Sequence, residues 1–222
     1  MSEPQRIEHP IPPLFDQNSE TLILGSFPSV KSREAMFFYG HPQNRFWRLL
    51  ALIFGEETPC TIEEKSRLIL SHRLALWDTI QSCTITGSSD SSIKDVVAND
   101  LSVILSNSRV ERIFCNGAAS FRLYEKYIYP KTGIRAQKLP STSPANAAYS
   151  MDRLAAEWGA ALTGSFQRNT ARFKAKAFLM WSVECGVWSF GRAERINYKN
   201  AFVPDCITIT ISITECDFGG AK

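Results

Sequence analysis

Between Thr21 and Leu162, short apolar runs alternate along the chain with stripes at helical spacing. Thr21-Leu-Ile-Leu-Gly25 is a continuous apolar run ending in glycine, as a strand buried on both faces reads. From Asn44 to Phe54, the residues Phe46, Leu49, Leu50 and Ile53 fall on one helical face. Thr61-Ile-Glu-Glu64 is a capping box and opens a helix towards Leu70. Arg73 to Asp78 predicts a second strand. Ala98 to Leu105 predicts a helix with Asp100 near its start. Val110 to Cys115 predicts a third strand, stopped by Asn116-Gly117, and Ala118 to Tyr129 a helix stopped by Pro130. Arg135 to Leu139 is a weaker fourth strand. Ser150 caps a last helix whose buried stripe is Met151, Leu154, Ala155 and Trp158.

Strands that alternate with helices imply an α/β layer fold around a parallel sheet. Such sheets collect ligands at the carboxyl ends of their strands. The unusual polar segments of this chain follow predicted strand ends: Ser26 to Ser29, Asp78, Asn116, and Ser141 to Asn146. The pattern ends after Gly164. Arg168 to Lys176 is basic and polar, Phe178 to Phe190 carries Trp181 and Trp188, and Cys206 to Thr214 alternates Thr with Ile. The chain therefore divides into an α/β domain at 1–163 and an irregular tail at 164–222, for which no functional role is expected.

Charge changes this picture only locally. Up to Leu162 there are 17 Lys and Arg against 17 Asp and Glu, and beyond it 8 against 5, so the net +3 sits in the tail. A neutral main body presents no broad nucleic-acid surface, and any such contact is a confined patch. The six cysteines form no CxxC pair and only three histidines accompany them, so no metal site is expected. No apolar run reaches membrane-spanning length and the N-terminus lacks a signal-peptide core; the expected location is the cytoplasm.

Two segments carry the chemistry. Gly25-Ser-Phe-Pro-Ser29, continued by Gly40-His-Pro-Gln-Asn-Arg-Phe-Trp47, brings a glycine to a strand end, where backbone can approach a ligand closely. Read plainly, Asn44 there is a helix cap and Trp47 is core. Leu139-Pro-Ser-Thr-Ser-Pro-Ala-Asn146 packs small donors into a rigid turn suited to phosphates, or is an ordinary loop before a helix. Asp78 ends a buried strand, where an unpaired carboxylate is costly; it either caps its own loop or accepts a hydrogen bond from a ligand.

Taken together, Gly25-Ser-Phe-Pro-Ser29, His41-Pro-Gln-Asn-Arg-Phe-Trp47 and Pro140-Ser-Thr-Ser-Pro-Ala-Asn146 resemble the uracil-DNA glycosylase superfamily, and within it the hypoxanthine-DNA (deoxyinosine) glycosylase branch. Trp77-Asp78 and Gly87-Ser-Ser-Asp90 fit that branch as well. The resemblance spans Leu22 to Trp158. It implies a three-layer α/β/α fold on a mainly four-stranded parallel sheet. It also implies hydrolysis of the N-glycosidic bond of a flipped deaminated base, hypoxanthine first and uracil second, by a monomer that uses no cofactor and leaves an abasic site. The chain departs from better-known branches. Ser26 and Phe27 stand where those carry a water-activating acid, and the second motif lacks their histidine.

The site residues implied are these. Asn44 holds the attacking water through its side-chain carbonyl, and Asp78 accepts from an N–H of the base. Ser26, Phe27, Phe38 and Asn116 contact the base, with Phe38 or Phe27 stacking on it. Ser29, Ser141, Ser143, Pro144 and Asn146 meet the damaged DNA strand, and Arg45, with Lys138 and Arg153, makes a local basic rim. Two other readings stand beside this one: a noncatalytic nucleic-acid or nucleotide-binding α/β module, and a hydrolase of free nucleosides.

Overall fold

The computed structural model describes residues 4–86 and 92–163. The Gly87–Asp90 motif and the tail from 164 lie outside the described residues. Four strands form a parallel sheet in the order β3-β2-β6-β7: β2 (Thr21–Gly25), β3 (Leu74–Asp78), β6 (Arg112–Asn116) and β7 (Ala136–Leu139). All five residues of β2 are buried. Its side chains alternate between two apolar layers. Ile23 joins Leu76 and Phe114 beneath α2 (Phe46–Phe54), α3 (Ile62–Ser71) and α7 (Met151–Thr163). Leu22 and Leu24 join Ile113 and Cys115 on the opposite face, under α4 (Ser102–Leu105) and α5 (Ala118–Tyr127). This is the α/β/α sandwich expected from the sequence.

The helix signals hold at their caps. Thr61 Oγ1 accepts the Glu64 N–H at 3.1 Å, and Glu64 Oε2 accepts the Thr61 N–H at 3.1 Å and the Cys60 N–H at 2.7 Å. These backbone donors hold the Glu64 carboxyl below its usual range. Ser150 Oγ accepts the Arg153 N–H at 3.3 Å and starts α7.

A second sheet, antiparallel and ordered β1-β4-β5, has no counterpart in the sequence reading: β1 (Gln5–Glu8), β4 (Ile80–Ile85) and β5 (Lys94–Ala98). It corrects the helix expected over Ala98–Leu105. Ala98 pairs with Ile80 in the β4–β5 ladder, and only Ser102–Leu105 is helical. Asn99, which follows β5, is buried, and its amide donates to the carbonyls of Asp78 at 2.8 Å and Ile80 at 3.2 Å. Pro130 does not stop a helix either. The chain breaks at Ile128, and Pro130 sits in the first turn of α6 (Tyr129–Thr132), where its missing N–H removes no helical bond. Two of the described cysteines, Cys83 and Cys115, are buried; burial pushes the Cys115 thiol up to about 12, which keeps it protonated and inert.

Parallel register sets the site. Gly25 lies beside Asp78, Leu24 beside Cys115, and Asn116 beside Leu139, so all four strands end at one level. Each continues there into one of the polar segments.

Candidate active site

The first element of the site is the peptide after Gly25. The Gly25 carbonyl accepts from the Thr79 N–H at 2.9 Å, the Thr79 hydroxyl at 2.8 Å and the Ser120 hydroxyl at 3.0 Å. Both hydroxyl residues are fully buried. This fixes the direction in which the Ser26–Ser29 loop leaves the sheet. Ser29 then caps α1 (Val30–Glu34) by accepting the Ser32 N–H at 3.2 Å. Ser32 Oγ in turn accepts the Gly40 N–H at 3.0 Å, which ties the two halves of the first motif together.

The second element is a relay of amides. Asn116, at the end of β6, accepts the Thr142 N–H at 3.0 Å through Oδ1 and donates to Thr142 Oγ1 at 2.9 Å through Nδ2. The Thr142 hydroxyl donates to Asn44 Oδ1 at 3.0 Å, and the same oxygen accepts the Phe46 N–H at 3.0 Å. The Phe46 N–H fixes the orientation of the Asn44 amide, because only its oxygen can accept that bond. Asn44 thus braces the first residue of α2, and its carbonyl oxygen already takes two hydrogen bonds. Asn116, expected to contact the base, bonds Thr142 through both Oδ1 and Nδ2.

Arg45 corrects the expectation of a basic rim. Its guanidinium donates to the carbonyls of Ser143 at 2.7 Å, Asn146 at 3.0 Å and Thr142 at 3.3 Å, and also to that of Tyr149. Its backbone N–H adds a bond to Thr142 O at 3.1 Å. With these donors engaged, Arg45 fastens the second motif instead of reaching out to a phosphate. Asn146 does the same from within the loop, its amide donating to Ser141 O at 2.9 Å. From below, the buried indole of Trp158 donates to Pro140 O at 2.9 Å. Pro144 and Ala145 are exposed at the tip, and the hydroxyls of Ser141 and Ser143 accept loop N–H groups at 3.2 and 3.3 Å. Lys138 and Arg153 are exposed, and the Arg153 guanidinium lies 4.5 Å over the Tyr149 ring.

These elements enclose one cavity of about 140 Å³. An interior cavity of ~150 Å³ accepts a benzene ring, so this one matches a heterocycle in scale. Ser26, Phe27, Ser29, Phe38, Asn44, Asp78, Asn116, Ser141 and Ser143, all singled out from the sequence, line it. Arg45, Pro144 and Asn146 do not. Thr142 and Tyr39 are lining residues that the sequence reading passed over. The Tyr39 ring stacks on Phe46 at 3.9 Å, and its hydroxyl is buried. Burial, and then the Asp78 charge, push the Tyr39 phenol well above its ordinary range, so it stays neutral.

Asp78 is 5% exposed and sits at the base of the cavity. Its Oδ2 accepts the His9 Nε2–H at 2.8 Å. Its Oδ1 lies over Gly25, only 2.1 Å from where a Cβ on that residue would stand. Gly25 is therefore needed for space. Gly25→Ala is expected to leave cooperative thermal unfolding intact but to displace the carboxylate. Loss of one charge-assisted contact corresponds to about a 10-fold fall in turnover at this cavity. Undiminished turnover in a single-turnover assay would show that Oδ1 does not work from this position.

The chain matches the family profile described as the uracil DNA glycosylase superfamily over residues 12–162. It is 36% identical over 155 residues to a Methanosarcina acetivorans protein named hypoxanthine DNA glycosylase, covering 69% of this chain and 97% of that one. A Methanosarcina barkeri protein of the same name is 36% identical over 138 residues, which is 61% of this chain and 85% of that one. Among solved structures, the solution NMR structure of a Methanosarcina acetivorans protein provisionally identified as a uracil DNA glycosylase superposes with a TM-score of 0.61. It is 33% identical, and the match covers 75% of this chain and 99% of that one.

Proposed function

The chain belongs to the uracil DNA glycosylase superfamily, and on that footing we propose that it is a DNA glycosylase that hydrolyses the N-glycosidic bond of a flipped hypoxanthine, with uracil as a second substrate. One observation carries the reading. The level strand ends gather Asn44, Asp78 and the Ser141–Ser143 turn around a ring-sized cavity in which Asp78 Oδ1 takes no hydrogen bond from any described residue.

A stacked base cannot reach such a cavity. The nucleotide is turned out of the duplex, which costs least at a mispaired, deaminated base. The exposed Pro144-Ala145 tip enters the space it vacates. The hydroxyl protons of Ser141 and Ser143, unused in the loop's own bonds, donate to flanking phosphates together with Ser29. Phe27 and Phe38 supply apolar walls. Asp78 Oδ1 accepts N1–H of hypoxanthine or N3–H of uracil. Adenine presents a lone pair at N1 and is refused.

The C1′–N bond then lengthens, its electron pair passes to the base, and the sugar acquires oxocarbenium character. A water donates a hydrogen bond to Asn44 Oδ1, in place of the Thr142 hydroxyl, which turns about its Cβ–Oγ bond. The water's lone pair forms the new C1′–O bond. One of its protons leaves to solvent, the other stays as the C1′ hydroxyl hydrogen, and the anionic base takes up a proton as it departs. A water facing a cationic carbon needs placement more than it needs a strong base, so an amide suffices.

The test is release of base from duplexes containing hypoxanthine, xanthine, uracil or thymine, paired and unpaired. Alkali-labile abasic sites at hypoxanthine, without strand cleavage before alkali, are expected from the full chain and equally from one ending at Thr163. Failure to release any base would favour a noncatalytic binding module, and release from free inosine alone a nucleoside hydrolase. A large loss on truncation would make residues 164–222 part of the enzyme.

A further inference from the structure

We propose that His9 is a positioning residue for base selection: it pins Asp78 Oδ2 so that a single carboxylate oxygen, Oδ1, is presented to the lactam N–H of the flipped base. The inference rests on the glycosylase reading above and concerns a residue that precedes the matched family segment, which begins at residue 12.

The His9 ring is held at every edge. Its Nδ1 accepts the Ile11 N–H at 3.2 Å, so the proton resides on Nε2, the atom 2.8 Å from Asp78 Oδ2. The ring meets Phe27 edge-on at 5.9 Å and Trp77 at 6.4 Å. Its backbone N–H donates to Gln81 O at 2.7 Å, continuing the β1–β4 ladder. The two side chains are 2% and 7% exposed. The bond is therefore built by the second sheet, which β4 joins to Asp78 through Thr79 alone.

Two physical consequences follow. A donor on Oδ2 stops rotation about χ2, which would otherwise bring either oxygen to the base. Finally, a full negative charge beside the base opposes the charge that builds on it as the bond breaks. The His9 N–H draws part of that charge towards Oδ2, away from the cavity.

The experiment is a double-mutant cycle read in single-turnover release of hypoxanthine from duplex DNA. His9→Leu is expected to slow release about 30-fold, the scale of a hydrogen bond to a charged group. His9→Gln, whose amide N–H can make the same bond, is expected within about 3-fold of the native protein. On an Asp78→Asn background, His9→Leu is expected to change the rate by less than about 3-fold, because the group it acts through is gone. Equal slowing by His9→Leu on both backgrounds, or an unchanged native-background rate, would overturn the proposal. So would slowing by His9→Gln to the His9→Leu level in a protein whose thermal midpoint is unchanged. If the native chain releases no base at all, the glycosylase reading fails first, and the outcome is distinct from any of these.

Discussion

Replacing Asn44 with alanine is expected to slow base release about 10³-fold while leaving affinity for hypoxanthine-containing DNA nearly unchanged. The side chain lines the cavity and borders the position from which a water would attack C1′, but no expected phosphate contact passes through it. Its oxygen also receives the Phe46 N–H and the Thr142 hydroxyl. Alanine therefore removes these side-chain hydrogen bonds as well, worth about 1 kcal/mol, and a modest fall in thermal midpoint accompanies the kinetic effect. Asn44→Ser separates the two roles, because a serine hydroxyl can still accept the Phe46 N–H but places its oxygen one bond nearer the backbone than the amide oxygen. A recovered thermal midpoint with the rate still low in Asn44→Ser would assign the loss in alanine to water placement. A parallel loss of affinity and rate in alanine would instead make Asn44 a determinant of loop shape, with the water held elsewhere.

The parallel sheet was legible because its strands are buried on both faces and therefore read as unbroken apolar runs, as Leu22 to Leu24 do. The second sheet was not. Its edge strand β5 carries Lys94 and Asp95, β1 is mostly exposed, and the β4–β5 ladder is irregular in register. Strands of that kind have no alternation strong enough to stand out from loops. The error at Ala98 to Leu105 has the same origin. Asp100 reads as a polar helix-start residue, whereas the side chain of its neighbour Asn99 is buried and holds the carbonyls on either side of Thr79.

The lining of the cavity was legible in outline, since polar residues after strand ends converge in any parallel sheet. What each side chain is bonded to was not. His9 and Asp78 are 69 positions apart and meet only because β1 pairs with β4. Thr142 looks like one hydroxyl among three, and only its bonds to Asn116 and Asn44 set it apart from Ser141 and Ser143. Tyr39 lay beside Phe38 in an aromatic run, and nothing local indicates that Phe38 turns into the core while the Tyr39 hydroxyl ends beside Asp78. Bonds between distant segments depend on tertiary pairing, and a single sequence carries no direct record of it.

Arg45 shows how far that limitation reaches, and it gives the second large effect. A basic residue next to a DNA-binding motif reads as a phosphate contact, yet here the partners of the guanidinium are carbonyls of the loop about 100 positions later. Arg45→Ala leaves those carbonyls without donors and frees the turn that carries Ser141 and Ser143. Several charge-assisted bonds to a half-buried group suggest a loss of about 3 kcal/mol, or roughly 10 °C in thermal midpoint for a domain of this size. Base release is expected to fall about 10²-fold as the turn loses its geometry. Arg45→Lys should recover little, because a single ammonium cannot reach carbonyls spread from Thr142 to Tyr149. Salt dependence distinguishes the two roles. Removing a phosphate contact lowers the slope of log affinity against log salt by about 1, whereas unfastening the loop weakens binding with little change in that slope. A flattened slope with an unchanged midpoint would return Arg45 to the DNA surface. A steady slope with a lowered midpoint makes it the residue through which the first motif holds the second in shape.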